Sequence, residues 1–224
     1  MEDLVRRHFE ERVKEGDYLQ RGKMILIPEG LSGKLLDVGC GATPTYSGGE
    51  IEIFGVDITP KMAKIFQESN PYASVVIADA KALPFREEVF DFVVANALLH
   101  HLVGKSPQVC LYNVGTAVDE MKHVTKPKGR IAIRELMARN KCFSLLMFYI
   151  TYLCAKLGIE IELLDVHSNV VVFFLERKKL EELSEKSGLR IISVEAKDWR
   201  PFARIRLGSI VCSSFRKQNA TLDS

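Results

Sequence analysis

A glycine-rich turn between two apolar runs holds the first residues whose types and spacing could do chemistry. Asp37, Gly39 and Gly41 stand in "LLDVGCG", and Asp57 ends the next apolar run, "IEIFGVD", 20 residues after Asp37. Glycines let the backbone approach a ligand closely, and a carboxylate at the end of the second strand can accept hydrogen bonds from ribose hydroxyls. The spacing is typical of a nucleoside site, although a tight turn without a ligand would share it.

Further polar residues follow the third and fourth apolar runs. Asp79 comes after "VVIA", and His100 and His101 follow "FDFVVANALL". Because the carboxyl ends of parallel strands meet at one edge of a sheet, Asp79 would lie close enough to accept a hydrogen bond from an adenine amino group. The sequence therefore predicts a row of strand-end groups that suits a ligand with a ribose, a base and a third portion.

Alternating strands and helices would position these residues. The strands are read in "KLLDVG", "IEIFGVD", "ASVVIAD", "FDFVVANAL" and "GRIAIREL", and the helices in "TPKMAKIFQES" and "YNVGTAVDEMKHV". Thr59 and Pro60 predict a helix start with a capping hydroxyl, and "TKPKGR" predicts a break between helix and strand. Short apolar strands separated by helices favour parallel crossovers with helices on both faces of the sheet.

The C-terminal part departs from this alternation. "RKKLEELSEKSGL" predicts a polar amphipathic helix ended by Gly188, and "RIISVEA" and "RLGSIVCSSF" have no helix between them, so they should pair antiparallel. The predicted fold is a Rossmann-like, doubly wound α/β domain whose mostly parallel seven-stranded sheet ends in an antiparallel hairpin. We expect one domain over 1–224, with cap helices at 1–32, a cofactor-binding core at 33–137, a substrate-side cap at 138–177, and a last helix with two strands at 178–224.

The helix that usually follows such a glycine turn is interrupted. Thr43 replaces a third glycine, Pro44 follows it, and Gly48 and Gly49 would end any helix within a turn. We expect a loop or one distorted turn here. A nicotinamide dinucleotide needs a helix N-terminus facing its pyrophosphate, so the pattern disfavours a dehydrogenase.

Five motifs together, "LDVGCG", "GVD", "ADAKALPF", "FDFVVANALLHHL" and "PKGRIAI", resemble the class I S-adenosylmethionine-dependent methyltransferases. The resemblance runs from about Leu35 to Leu136 and is greatest to the small-molecule branch that contains the ubiquinone and menaquinone C-methyltransferases. It implies S-adenosylmethionine as the cofactor. The glycine turn would hold the methionine portion, the second strand end the ribose, the third the adenine, and the fourth the sulfonium. The implied cofactor-binding residues are Tyr18, Asp37, Gly39, Cys40, Gly41, Asp57, Ile58, Asp79, Ala80 and Asn96.

Methyl transfer from a sulfonium requires alignment of the acceptor more than side-chain chemistry. A base helps where the acceptor is a phenol, enol or thiol, and His101 or His100 could serve; the alternative is that one of the pair only packs or bonds to the backbone. "ANALLHHL" also lacks the Asn/Asp-Pro-Pro-aromatic stretch of nucleic-acid amino methyltransferases. We therefore expect oxygen or carbon methylation of a small, apolar or aromatic metabolite.

The segment at 143–155 is almost wholly apolar but shorter than the roughly 20 residues of a bilayer span. Three interpretations remain open: a buried or lid helix, a wall for an apolar substrate, and an interfacial contact with a membrane or a second subunit. Next along the chain, Asp165, His167 and Asn169 form either a solvated turn or a second polar cluster beside the pocket.

Composition narrows the partners. The net charge of +2 gives no reason to expect a nucleic acid, and five scattered cysteines without a C-x-x-C pair argue against zinc and against disulfides. No apolar signal core follows the first residues, so we expect a cytoplasmic protein, and no pattern indicates an oligomeric state. A catalytically silent protein that binds the cofactor as a sensor or partner subunit is the alternative to an enzyme.

Overall fold

The computed structural model describes residues 32–42, 50–160, 170–198 and 205–214. Seven strands in these ranges form one sheet. They are β1 (Gly33–Val38), β2 (Ile51–Asp57), β3 (Ser74–Ile77), β4 (Phe90–Asn96), β5 (Thr125–Ala138), β6 (Leu189–Asp198) and β7 (Ile205–Ser214). Their order is β3-β2-β1-β4-β5-β7-β6. The first five strands pair parallel, and β7 pairs antiparallel with both β5 and β6. The predicted fold class is confirmed.

Four α-helices in the described part of the chain connect or cover the strands: α1 (Pro60–Ser69), α2 (Pro107–Val124), α3 (Lys141–Leu157) and α4 (Arg177–Lys186). Pro60 begins α1 as expected, but the hydroxyl of Thr59 makes no capping bond, because it hydrogen-bonds to Asp57 instead. The end of α4 at Gly188 is confirmed, since that residue has a left-handed φ of 76°.

The sheet buries both faces, and strand alternation assigns each side chain to one of them. On one face, residues such as Leu36, Val93 and Ile131 pack with α2 and α4 in the main core. On the other face, Leu35, Val94 and Ala132 form a smaller cluster. Alternation therefore places Asp37, Asn96 and Arg134 on the smaller-cluster face, near the carboxyl ends of three neighbouring strands.

The helix end expected at the "TKPKGR" stretch is confirmed, since α2 ends at Val124 and Thr125 caps it. Strand β5 begins directly at Thr125, and the pairing of β4 with β5 shifts register between Phe90 and Phe92. The apolar run "VVVFF" has strand composition but forms no strand. The Phe173 N–H donates to the His100 carbonyl, and the Phe174 carbonyl accepts from the Ser144 hydroxyl, so its backbone is satisfied outside the sheet.

Several predictions concern residues outside the described ranges. They are the helix at 3–15, Tyr18, the interrupted turn at Thr43 and Pro44, and the trio Asp165, His167 and Asn169. The division into segments of a single domain stays a prediction.

Candidate cofactor and active site

The glycine turn after β1 is held by the end of β2. The N–H groups of Gly39 and Cys40 both donate to the Val56 carbonyl, at 2.7 and 3.0 Å. Gly39 and Gly41 have φ of 70° and 58°, which glycine adopts without strain. A Cβ on Gly39 would lie 2.7 Å from Leu98 Cδ1, whereas one on Gly41 would meet none of the described residues within 4 Å. Gly39 is thus packed against Leu98, which follows β4, while Gly41 borders space that the described residues leave open.

Asp57 ties the glycine turn to the start of α1. Its Oδ2 accepts from the Gly41 N–H at 2.9 Å, and its Oδ1 accepts from the Thr59 N–H at 2.8 Å. Burial raises the pKa of Asp57, and the bonds from Thr59 and Gly41 oppose that rise. The Thr59 hydroxyl also donates to this carboxylate, so three of its roughly four acceptor positions are occupied and one is left for a hydroxyl of a ligand.

Asp37 is the most deeply buried acid of the strand ends around the glycine turn. It is 1% exposed, and its Oδ1 has no hydrogen-bond partner among the residues that the structure describes. Burial, and secondarily the charge of Asp57, raises the pKa of Asp37 to about 8. An unsatisfied buried carboxyl group is costly, and a cation or hydrogen-bond donor beside it would remove that cost.

The third and fourth strand ends complete the row. Asp79 follows β3, its Oδ1 accepts from the Lys81 N–H at 2.9 Å, and its Oδ2 lies 3.2 Å from Lys81 Nζ. Ala80 is buried in the main core. Asn96 is half-buried at the end of β4, and the next residue, Ala97, is exposed with a left-handed φ of 53°. Such backbone strain in a residue other than glycine is concentrated at functional sites.

The other two implied residues differ in how they could meet a ligand. Ile58 is half-buried between Asp57 and Thr59. The Cys40 side chain is buried beside Phe66, so this residue would meet a ligand through its backbone. Taken together, the open side of Gly41, the remaining acceptor position of Asp57 and the unpartnered Asp37 oxygen fit a nucleoside that carries a cationic tail, as S-adenosylmethionine does.

The two histidines occupy different environments on a 3₁₀ turn (Leu99–His101) after β4. The His100 ring is buried between Phe174 and His101, with ring centroids 5.5 and 3.9 Å away, and its Nδ1 bonds to Glu135 Oε1. His101 is half-buried. The structure therefore separates a fixed histidine from one with access to solvent.

Glu135 is a site residue that sequence reasoning missed. It is fully buried in β5, and besides His100 it accepts from the N–H groups of Leu99 at 2.6 Å and Leu136 at 2.7 Å. A charged residue that interrupts the apolar run "IAIREL" is the signal that could have revealed it, because an acid at such a position needs partners. Glu135 fixes the turn that carries both histidines.

Helix α3 lies beyond the end of β5, next to this turn. Asn140 caps its start by accepting from the Phe143 N–H at 2.9 Å, and Gly158 ends it. Phe148 is buried in the main core, so part of the helix is a packing element as the first interpretation holds. The outer side is apolar as well, because Leu146, Tyr149 and Leu153 are exposed. Within the described ranges, none of the helices is both long and apolar enough to cross a membrane.

A family model described as a methyltransferase domain matches residues 36–133. That range runs from β1 to β5 and contains the glycine turn, Asp57, Asp79 and both histidines. The match therefore covers the strand-end row and the 3₁₀ turn described above.

Two curated relatives differ in the acceptors their names state. A tRNA (carboxymethyluridine(34)-5-O)-methyltransferase of Arabidopsis thaliana is 34% identical over 114 residues, 50% of this chain and 26% of the relative. A demethylmenaquinone methyltransferase of Streptomyces avermitilis is 26% identical over 105 residues, 46% of this chain and 42% of the relative. The chain thus spans less than half the length of either protein.

Among solved structures, a Methanosarcina mazei protein described as a SAM-dependent methyltransferase superposes with a TM-score of 0.62. Its sequence is 16% identical, and the match covers 85% of this chain and 95% of that one. At this identity the likeness concerns the fold.

Proposed function

We propose that the chain is a class I S-adenosylmethionine-dependent methyltransferase, and that it transfers the methyl group of that cofactor to an oxygen or carbon atom of a small, apolar or aromatic acceptor. When bound, the cofactor supplies an electrophilic methyl group on a sulfonium that loses its charge on transfer. The observation that carries the proposal is the turn at Gly41. Its N–H is fixed by Asp57 at 2.9 Å, while the space beside its Cα is open.

The donor-binding roles follow from the atoms on the sheet edge. Both oxygens of Asp57 hold the turn, and the carboxylate keeps one acceptor position for a ribose hydroxyl. Asp79 and Ala80 flank the base, and Asn96 lies beside the sulfonium. Asp37, with its unpartnered Oδ1, faces the methionine portion. Each role is part of the proposal.

His101 is the proposed base. It has access to solvent, whereas His100 is locked by Glu135 and packed under Phe174. Where the methyl acceptor is a phenol, an enol or a thiol, His101 removes its proton. His100 and Glu135 then act as positioning residues, because they fix the turn and the neighbouring ring.

The apolar character of the acceptor is inferred from the elements beyond β5. Helix α3 and residues 170–175 place Phe174, Met147 and Ile150 together in an apolar cluster close to the histidine turn. The described members of this cluster are apolar, so an apolar or aromatic acceptor against them would be desolvated at low cost.

A second candidate acceptor is tRNA, which the name of the 34%-identical Arabidopsis relative favours. The small net charge of +2 is the observation against it, since polyanion binding relies on clustered basic charge. The chain and methyl-labelled cofactor should be incubated in parallel with a small-metabolite fraction and with total tRNA. Label in the metabolite fraction supports the first candidate, and label in tRNA supports the second.

Variants make the same experiment a test of the site. Asp57→Ala should abolish labelling and weaken cofactor binding in calorimetry at least about tenfold, because a charge-assisted bond to the ribose is lost. Glu52→Ala is the matched control, since Glu52 is an exposed acid on the same strand, paired only with Lys34 at the surface. Cofactor binding without labelled product in any fraction would favour the silent sensor instead.

A further inference from the structure

Arg134 of β5 is a buried residue without a charged partner among the described residues. Only 8% of it is exposed. No hydrogen bond or ion pair joins its guanidinium to any part of the chain that the structure describes. Burial lowers the pKa of Arg134. Buried arginines are almost always paired, so this one calls for an anion that the described residues do not supply.

Strand register places Arg134 beside the proposed sulfonium end of the cofactor. It lies opposite Asn96 of β4 and Ser209 of β7. Asp37 is one strand beyond β4, opposite Val94, and alternation puts it on the same face as Arg134. Two strand spacings amount to roughly 10 Å, which an arginine side chain and a small ligand can bridge together.

Alternation puts three acids on this face, and none of them pairs with Arg134. Asp57 is three strands away from it and holds N–H groups of the glycine turn and of the residue before α1. Asp37 has an unpartnered Oδ1, and the only charge that perturbs it is that of Asp57. Glu195 is two strands away, beyond Ser209, and it is exposed. The face therefore holds a buried acid and a buried base that are not paired with each other.

An α-amino acid group carries the complementary pair of charges on neighbouring atoms. We infer that Arg134 binds the α-carboxylate of the cofactor's methionine portion, while Asp37 faces its ammonium. The inference rests on the proposed function and adds a specificity residue on a strand that lies outside the glycine turn. Arg134 would make the site select a donor that keeps its amino acid group intact.

The test compares two donors that differ only in that carboxylate: S-adenosylmethionine and its decarboxylated form. By calorimetry, the wild type should bind the intact donor at least about tenfold more tightly, in keeping with a charge-assisted hydrogen bond. Arg134→Met should bring the two affinities within about twofold by weakening only the intact donor. Arg134→Lys should keep part of the preference.

Arg130→Met is the matched control, because Arg130 is an exposed arginine on the same face of the same strand. It should leave both affinities unchanged. Equal affinity of the wild type for the two donors would overturn the inference even if the Arg134 variants failed to fold.

Two other results would also overturn it. Arg134→Met could weaken both donors equally, which would indicate a structural role. It could instead spare both donors and raise the KM of an anionic acceptor, which would assign the anion to the acceptor. A folded wild type that binds neither donor would contradict the proposed function itself.

Discussion

Asp37 shows how a single buried carboxyl group can limit the stability of the ligand-free protein. Its pKa is raised to about 8 from an ordinary value of 3.8, chiefly because burial disfavours the charged form. Between these two pH values the folded protein holds a proton that the unfolded chain has released. Its contribution to stability is therefore complete below pH 4 and is lost as the pH rises towards 8.

The first prediction is that Asp37→Asn flattens this dependence. The wild-type free energy of unfolding should fall from pH 5 to pH 8 by up to about 1.4 kcal/mol per pH unit from this group, and the variant should lack that component. Urea unfolding of both proteins at pH 5, 6, 7 and 8 measures the difference. Parallel curves would show that Asp37 is not the titrating group.

The second prediction separates the two glycines of the turn. Gly41→Ala should cost roughly 1 kcal/mol of stability through its positive φ, yet weaken cofactor binding at least about tenfold, because the new methyl group occupies the open space. Gly39→Ala should cost more stability, about 1–3 kcal/mol, because its Cβ also collides with Leu98. Thermal unfolding and calorimetry measure the two effects.

Leu98→Ala provides the control for the collision. In the Gly39→Ala background it should recover part of the lost stability, and in the Gly41→Ala background it should recover none. If Leu98→Ala restored the same amount of stability in both backgrounds, Leu98 would not be in specific contact with Gly39.

At the scale of elements, Glu135 connects the edge of β5 to the 3₁₀ turn. Three groups depend on it: His100 Nδ1 and the N–H groups of Leu99 and Leu136. Our third prediction is that Glu135→Ala lowers the free energy of unfolding by roughly 3 kcal/mol or more, since several buried polar groups lose their partner. Glu135→Gln should cost less, because its amide oxygen still accepts. Chemical denaturation gives both values.

Glu195→Ala is the control for the two Glu135 variants, because it removes an exposed acid from the neighbouring hairpin. Its effect should stay within about 0.5 kcal/mol. A Glu135→Ala variant as stable as Glu195→Ala would show that the turn does not rely on the buried carboxylate.

The sequence predicted the elements whose pattern is local and missed those whose partners are distant. Period-two apolar runs and helix signals were enough for the parallel strands, the order of helices and the final hairpin. "VVVFF" has strand composition, but its backbone bonds to His100 and Ser144, which no local pattern reveals. Likewise, the glycine turn was recognisable from spacing. The partnership of Glu135 with a turn 35 residues away depends on the register of β4 and β5.

At the scale of the whole molecule, the candidate cofactor site is built from residues of three strands at the centre of the sheet. Asp37 is the second-last residue of β1 and the glycine turn follows that strand, Asp57 ends β2 and Asn96 ends β4, so one ligand would connect three adjacent strands. The protein depends on these strands for its core, because Leu36, Val56 and Val93 are fully or almost fully buried. A ligand there should stabilise the chain as a unit rather than one loop.

The fourth prediction is a cofactor-dependent rise in melting temperature. Ligand at 100 times its Kd stabilises the folded state by about 2.7 kcal/mol, which corresponds to a rise of roughly 5–10 °C for a chain of this size.

S-adenosylhomocysteine is suited to this scan because it carries no transferable methyl group. NAD serves as the negative ligand, since the turn is expected to lack the helix that a pyrophosphate needs. Asp57→Ala should abolish the rise and Glu52→Ala should retain it. A rise with NAD of equal size would mean that the site does not distinguish a sulfonium nucleoside from a dinucleotide.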